Sequence, residues 1–303
     1  MTRTLRVHVT ETGRREKRGP RADIDAFLNA ALQPHGFRLE FWRNQPAARL
    51  ISELMPGYSL FLMKDPRTRS ALTLRRGYLR KTWRLERSND REDWTVTGQR
   101  YDPNAVDADA ARQWIKQIRH RHGIHLAGAS ASPGYVLVPL QGKLLSHRDF
   151  QFKSPVEMIE DAQRYEVERD ICLTLHPGET YSREELAAIH RLAQHPRTFI
   201  LQGIPMHKAI AGADYLVSQN SSVAYWGLVH RKPAILYAAA DFHHICQSIS
   251  RTTPSDAFRK APDTRPGYAK YLYWHSLNAL IDISGANAAA QLVARLRFMG
   301  WSV

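Results

Sequence analysis

From residue 135 onward, short apolar bursts alternate with amphipathic stretches. Tyr135-Val-Leu-Val-Pro-Leu140, Ile171-Cys-Leu-Thr-Leu175, Thr198-Phe-Ile-Leu201, Asp214-Tyr-Leu-Val-Ser218 and Ala234-Ile-Leu-Tyr237 are too short for helices. They are apolar enough to read as strands buried on both faces. The intervening stretches carry helix starts. Ser154-Pro155-Val156-Glu157 supplies an N-cap Ser, a Pro at the first helical position and a Glu that returns the cap. Ser182-Arg-Glu-Glu185 is a second such box and predicts a helix to about His195. Pro205 to about Gly212 and Ser222 to His230 read as two more helices. Strands alternating with helices at this spacing predict βαβ units and a parallel sheet covered on both faces.

The pattern before residue 130 is less regular. Leu5–Val9 reads as a strand, Asp23–Leu32 as an amphipathic helix, Phe37–Trp42 and Leu60–Met63 as strands, and Asp107–His120 as a helix. A second, smaller or decorated Rossmann-like domain fits this order. The Arg-rich stretch Arg75–Arg84, with Tyr78 and Trp83 interleaved, reads equally as a solvated basic helix face or as a grip on phosphate-rich ligands. Tyr268–Ile283 and Ala286–Phe298 read as helical, and a last helix crossing back to the first domain would suit a two-domain enzyme with a cleft between the domains. The small-residue stretch Gly123–Gly134 reads as a linker. The expected division is therefore a basic domain over 1–130 and a second domain with C-terminal helices over 131–303.

Charge sharpens that division. The 303-residue chain carries a net +14, and residues 1–130 hold 25 Lys+Arg against 14 Asp+Glu, while the remainder holds 18 against 15. Such a field favours polyanions: nucleic acid, an anionic membrane face, an anionic nucleotide donor or an acidic polysaccharide. No apolar run is long enough to span a membrane and no secretory segment is legible at the start, which makes the cytoplasm the expected compartment, with peripheral contact at the inner membrane. The two cysteines, Cys172 and Cys246, form neither a CxxC pair nor a zinc spacing and read as buried thiols. His243-His244 lacks a correctly spaced third ligand, so no metal is expected.

Two motifs carry candidate chemistry. Leu175-His176-Pro177-Gly178-Glu179 follows a strand, where open α/β sheets bind ligands, and a His there can donate to a phosphate. Ser218-Gln219-Asn220-Ser221-Ser222-Val223-Ala224 leads from another strand into a helix, whose N-terminus and hydroxyls suit an anion, although simple N-capping accounts for either Ser.

His176-Pro177, Ser221-Ser222 and the run Asn220–Leu236 together resemble the capsule polysaccharide biosynthesis proteins, including the β-Kdo transferases, and more distantly the bacterial sialyltransferases. The resemblance covers roughly residues 135–245. It implies an α/β chain of the GT-B type: two Rossmann-like domains, with His-Pro and Ser-Ser motifs holding the CMP portion of a CMP-sugar. On that basis Gln219, Asn220 and Gln141, the last near the opening strand Val138-Pro139-Leu140, join His176, Pro177, Ser221 and Ser222 as donor-binding candidates, and His207 is a further one. The implied activity is metal-independent transfer of an acidic sugar such as Kdo to an anionic glycan or glycolipid acceptor, with the nucleotide-sugar as substrate and no cofactor.

The acidic pair followed by Gly that supplies the base in sialyltransferases has no counterpart before residue 130. A transferase still needs a group to activate the acceptor hydroxyl, and Glu11, Asp23 and Asp25 are the candidates by position. Arg75, Arg76 and Arg80 are the acceptor-binding candidates. Alternatives stay open: a CDP-alcohol phosphotransferase or a UDP-sugar transferase of the same fold, a silent scaffold, or a nucleic-acid-binding protein. Against the last, no zinc-finger spacing, RNP1-like run or clear helix-turn-helix is present, so no specific nucleic-acid partner is expected.

Overall fold

The computed structural model of the chain describes residues 3–9, 20–67, 70–126 and 134–303. The chain divides into two compact units, one made of Met1–Gln99 with His275–Val303, the other of Arg100–Trp274.

The first unit opens with β1 (Arg3–Val9), α1 (Pro20–Leu32), β2 (Phe37–Arg43), α2 (Pro46–Leu54), β3 (Tyr58–Leu62), β4 (Ala71–Arg76) and β5 (Thr82–Glu86). The second holds α3 (Ala108–Arg121), β6 (Tyr135–Pro139), α4 (Pro155–Tyr165), β7 (Ile171–Thr174), α5 (Arg183–Leu192), β8 (Thr198–Ile200), α6 (Met206–Gly212), β9 (Ala213–Ser218), α7 (Ser222–Val229), β10 (Ala234–Leu236), β11 (Gln247–Ser248) and α8 (Pro254–Lys260). Helix α9 (Tyr268–Ala279) contains the boundary, after which β12 (Ile281–Asp282) and α10 (Ala288–Phe298) belong to the first unit.

The sheet of the second unit runs β11-β10-β9-β6-β7-β8, and its strands are parallel throughout. The chain moves outward from β6 through β7 to β8, then returns to lay β9 on the other side of β6. That reversal is a topological switch point, and the carboxyl ends of β6 and β9 flank the crevice it makes. Both predicted capping boxes form: Ser154 with Glu157 starts α4, and Ser182 with Glu185 starts α5. Val136, Val138, Leu173, Val217 and Ile235 are buried in one core with Met158 and Ile189 from the covering helices.

The first sheet runs β12-β5-β4-β3-β1-β2, with β5 antiparallel to β4 and β12 antiparallel to β5. Its core joins Leu5, Val7, Leu28, Leu60, Leu74 and Trp83 to Leu292, Leu296 and Trp301 from the last residues of the chain.

Four readings of the sequence change here. The units part at Gln99, ahead of the 123–134 stretch, of which 127–133 lie outside the described residues. Helix α3 belongs to the second unit because Arg119 Nε donates to Val229 O at 2.9 Å and His122 sits edge-on to Trp226. The Arg75–Arg84 stretch is strand, turn and strand, not a helix, and Arg84 is fully buried with its guanidinium 3.9 Å from the Trp94 ring centroid. The predicted 268–283 helix stops at Ala279, because Ile281 pairs with Trp83 along β5. Moving the boundary preserves the charge asymmetry: the first unit holds 22 Lys+Arg against 12 Asp+Glu, the second 21 against 17. Among the described residues no helix is long and apolar enough to cross a membrane. Cys172 and Cys246 are free and buried, and burial pushes both thiols up to about 12.

Candidate functional site

At the carboxyl edge of the second sheet, three loops converge. The β6 loop starts with Gln141 and Gly142, the β7 loop carries His176–Glu179, and the β9 loop carries Gln219–Ser221. Gly142 lies so close to the Glu179 carboxylate that a Cβ there would overlap it, which ties the first two loops together.

The β7 turn aims His176. Its backbone N–H donates to the Tyr181 hydroxyl at 2.8 Å, and the Gly178 N–H donates to its Nδ1 at 3.1 Å. With Nδ1 accepting, the proton of the neutral ring sits on Nε2, leaving that N–H as a donor on an exposed side chain. Pro177 is exposed beside it.

The β9 loop is built differently. Gln219 is buried, its Nε2 donating to Lys153 O at 3.0 Å, while its Oε1 has no partner. Asn220 Nδ2 donates to Ala239 O at 3.2 Å. Ser221 is the N-cap of α7, its Oγ accepting from the Val223 N–H at 3.2 Å, whereas Ser222 is exposed at the first helical position. The two serines are therefore placed differently: Ser221 fixes the helix start, and the Ser222 hydroxyl is exposed at the positive end of the helix.

Sequence reasoning missed Arg148 and Gln151. Both lie in the fifteen-residue connection 140–154 between β6 and α4, and that length was the available signal. The segment doubles back onto β10: the Phe152 N–H donates to Tyr237 O and the Ala239 N–H to Phe150 O, both at 2.8 Å. Gln151 is buried with its Nε2 unpaired. The Arg148 guanidinium lies 4.9 Å from the Phe150 ring centroid, and its buried Nε and Nη2 lack partners. Burial lowers its pKa, with the Glu179 carboxylate acting in the opposite direction. Donors without partners at a switch point suit a phosphate or carboxylate.

His207 is not at this edge. Its Nδ1 lies 3.2 Å from Nε2 of His230, which caps the far end of α7, just before β10 begins. Burial lowers the pKa of His207, and burial followed by the nearby His207, Lys232 and Arg119 lowers that of His230 to about 4. His243 and His244 stack ring on ring, with Nδ1 atoms at Ala240 O and the Tyr271 hydroxyl. Among the described residues no three His, Cys, Asp or Glu side chains gather as for a metal ion.

The first unit has a cavity of its own, ≈ 350 Å³, at the carboxyl ends of β4 and β12. Asp23 from the first turn of α1 lines it together with Arg76, Arg80 and Lys81 of the β4–β5 turn. Alternation along β4 sends Arg75 the other way, to Asn89 Oδ1 and the Trp94 ring, so Arg75 is not part of this cavity. Asp25 is half-exposed on the same helix. Glu11 lies outside the described residues.

Two Rossmann-like α/β units in one chain define a GT-B fold. No known protein family and no curated protein matches the chain by sequence. Among solved structures, the fold is similar to Thermosulfurimonas dismutans KpsC, a β-Kdo 2,7 transferase, with a TM-score of 0.57 at 11% identity over 98% of this chain and 100% of that one. The β-Kdo 2,4 transferase of KpsC from the same organism aligns at a TM-score of 0.48 and 15% identity over 84% and 89% of the two chains. The resemblance read from His176-Pro177 and Ser221-Ser222 thus recurs in the fold.

Proposed function

We propose that the chain is a glycosyltransferase of surface polysaccharide biosynthesis that takes an acidic, CMP-activated sugar such as Kdo to an anionic glycan or glycolipid. One observation carries the reading: His176, with a free Nε2–H, and Ser222, at a helix start, stand on the loops after β7 and β9, the strands on either side of β6, at the carboxyl edge of a parallel sheet. In this role His176 Nε2–H, the Ser222 hydroxyl and the α7 N-terminus hold the donor phosphate. They offset the negative charge that grows on the leaving nucleotide as the glycosidic bond breaks. The charge compensation is assigned to protein groups, with no metal required. The acceptor lies in the cavity of the first unit, where Arg76 and Arg80 hold its acidic groups and Asp23 accepts the proton of the attacking hydroxyl.

Thermal stabilisation tests the donor site first. CMP raises Tm of the wild type more than UMP, UDP or a DNA duplex does, and His176→Ala abolishes the selective rise. Stabilisation by UDP alone moves the reading to a UDP-sugar transferase, and no response to any nucleotide sinks the site. Turnover of CMP-Kdo then tests the rest. It is insensitive to EDTA, falls about 100-fold or more in Asp23→Asn, consistent with loss of a general base, and shows a raised acceptor KM in Arg80→Ala.

A further inference from the structure

The opposite edge of the second sheet holds a larger cavity that the donor reading leaves unused. It measures ≈ 1070 Å³, and its walls include Tyr135 at the start of β6, Asp214 at the start of β9 and Lys232-Pro233 ahead of β10. Its charges are one-sided. Among the described residues Asp214 is the one carboxylate that lines it, and Arg169 already engages it, Nε to Oδ2 at 2.7 Å. Arg231, Lys232, Arg265 and Lys270 line the same space. Arg265 donates to the carbonyls of Pro262 and Thr264 at 2.6 and 3.0 Å, and Lys270 Nζ to Pro103 O at 2.8 Å. Those bonds orient the two cations without neutralising them. Arg119, nine-tenths buried nearby, has an unpartnered Nη2. Burial lowers the pKa of Arg119, with Arg231 acting in the same direction, and burial lowers that of Lys232, with Asp214 opposing and Arg265 assisting.

Arg231 supplies an independent observation. Helix α7 ends in a Schellman turn, with the Arg231 N–H on Leu228 O at 3.0 Å and the Lys232 N–H on Gly227 O at 2.9 Å. The residue after the cap in this turn takes a left-handed conformation and is ordinarily Gly or Asn. Here it is Arg231, at φ 61. Local preference is overridden at the position that places a cation on the cavity wall, the kind of conflict that collects at functional sites.

We propose that this cavity is a second ligand site, for a compact anion carrying two or more carboxylates or phosphates. A single-stranded nucleic acid needs open aromatic faces for stacking, but Tyr268 is buried and Tyr135 is half-buried with its ring against Phe199. A membrane surface is bound through an amphipathic helix or a basic cluster on an open face, whereas these cations line a concavity. An acidic oligosaccharide and a polyphosphate share the required chemistry, and the site rests on neither the donor nor the acceptor assignment above.

Calorimetric titration of the full chain with trigalacturonate and with tripolyphosphate tests it, with maltotriose, a dT12 oligonucleotide and phosphatidylglycerol vesicles as further arms. At least one of the two anions binds, its affinity drops as salt is added, and maltotriose does not bind. Which anion binds more tightly tells sugar carboxylates from phosphates. Arg231→Gly weakens that binding at least tenfold while Tm holds or rises, since glycine suits the left-handed turn. Lys232→Ala weakens it comparably, and His176→Ala leaves it unchanged while losing the CMP response. Absence of binding by both anions, equal binding by Arg231→Gly and wild type, loss of binding in His176→Ala, or tighter binding of dT12 or the vesicles overturns the proposal.

Discussion

Each of the two sheets has six strands, yet they are filled in opposite ways. In the second, every strand is parallel to its neighbours, and Ile171–Leu173 or Tyr215–Val217 present nothing charged to the helices that cover them. In the first, Arg6, His8, Thr73, Arg84 and Glu86 are all buried on strands. Each needs its own compensation. His8 stacks on Phe61 at 4.2 Å and its Nε2 lies 3.1 Å from Ser52 Oγ, which in turn meets Ser59 Oγ at 2.8 Å. Glu86 accepts from the Thr95 N–H and hydroxyl, and burial still raises its pKa. A sheet wrapped by helices through local βαβ crossovers can be apolar and self-contained. A sheet completed by a hairpin and a distant strand mixes polar and apolar layers and depends on partners far away in sequence.

The largest expected effect tests that dependence. Leu296→Ala, in the fully buried face of α10, removes packing from the first core and should cost about 2–5 kcal/mol. Ile235→Val in β10 of the contiguous unit should cost about 1 kcal/mol. Hydrogen exchange of the amides of each sheet reads the two separately. A Leu296→Ala effect confined to the second sheet would break the comparison.

Acid comes next. Burial, then Arg49 and Arg6, lower the pKa of His8 to about 4, against 6.5 for an ordinary His. The unfolded chain therefore binds the proton more readily, so stability is full above about 6.5 and is lost as pH falls towards 4. At about 1.4 kcal/mol per pKa unit the full loss is about 3–3.5 kcal/mol. His230 has the same sign and range in the second unit. His8→Leu should flatten acid destabilisation of the first sheet and leave that of the second, as amide exchange between pH 7 and 4 would show.

The smallest effect sharpens the contrast in local signals. Ser182→Ala removes the acceptor for the Glu185 N–H and should cost about 1 kcal/mol, confined to the second unit, in a urea melt.

The same contrast governs what could be read in advance. Ser154, Ser182 and Ser222 announced helix starts from their own neighbouring residues, so the second unit was legible through local rules. The candidate residues His176 and Ser221-Ser222 were legible as loop positions at the carboxyl ends of strands, which is where they lie. Strand β5 hid behind a run of arginines, because nothing local says that Arg84 will be sheltered by Trp94. Strand β12 hid in a helical pattern, because its partner Trp83 lies nearly two hundred residues earlier. Arg148 and Gln151 sit in an irregular connection with no period to read. His207 was misplaced because α6 is only seven residues long and starts below the carboxyl edge, facing His230.

The return of residues 275–303 to the first unit also sets an order of assembly. During synthesis, Arg100–Trp274 emerges with its whole core and can close upon itself. The earlier-made strands β1–β5 must wait, with Leu5, Leu60 and Leu74 lacking Leu292, Leu296 and Trp301, and with the outer edge of β5 uncovered until β12 arrives. An open edge beside unburied apolar side chains is the state in which chains pair with the wrong partner. Strands β1–β5 are thus made before the second unit but completed after it, and the nascent chain depends on holding that edge apart until α10 is released.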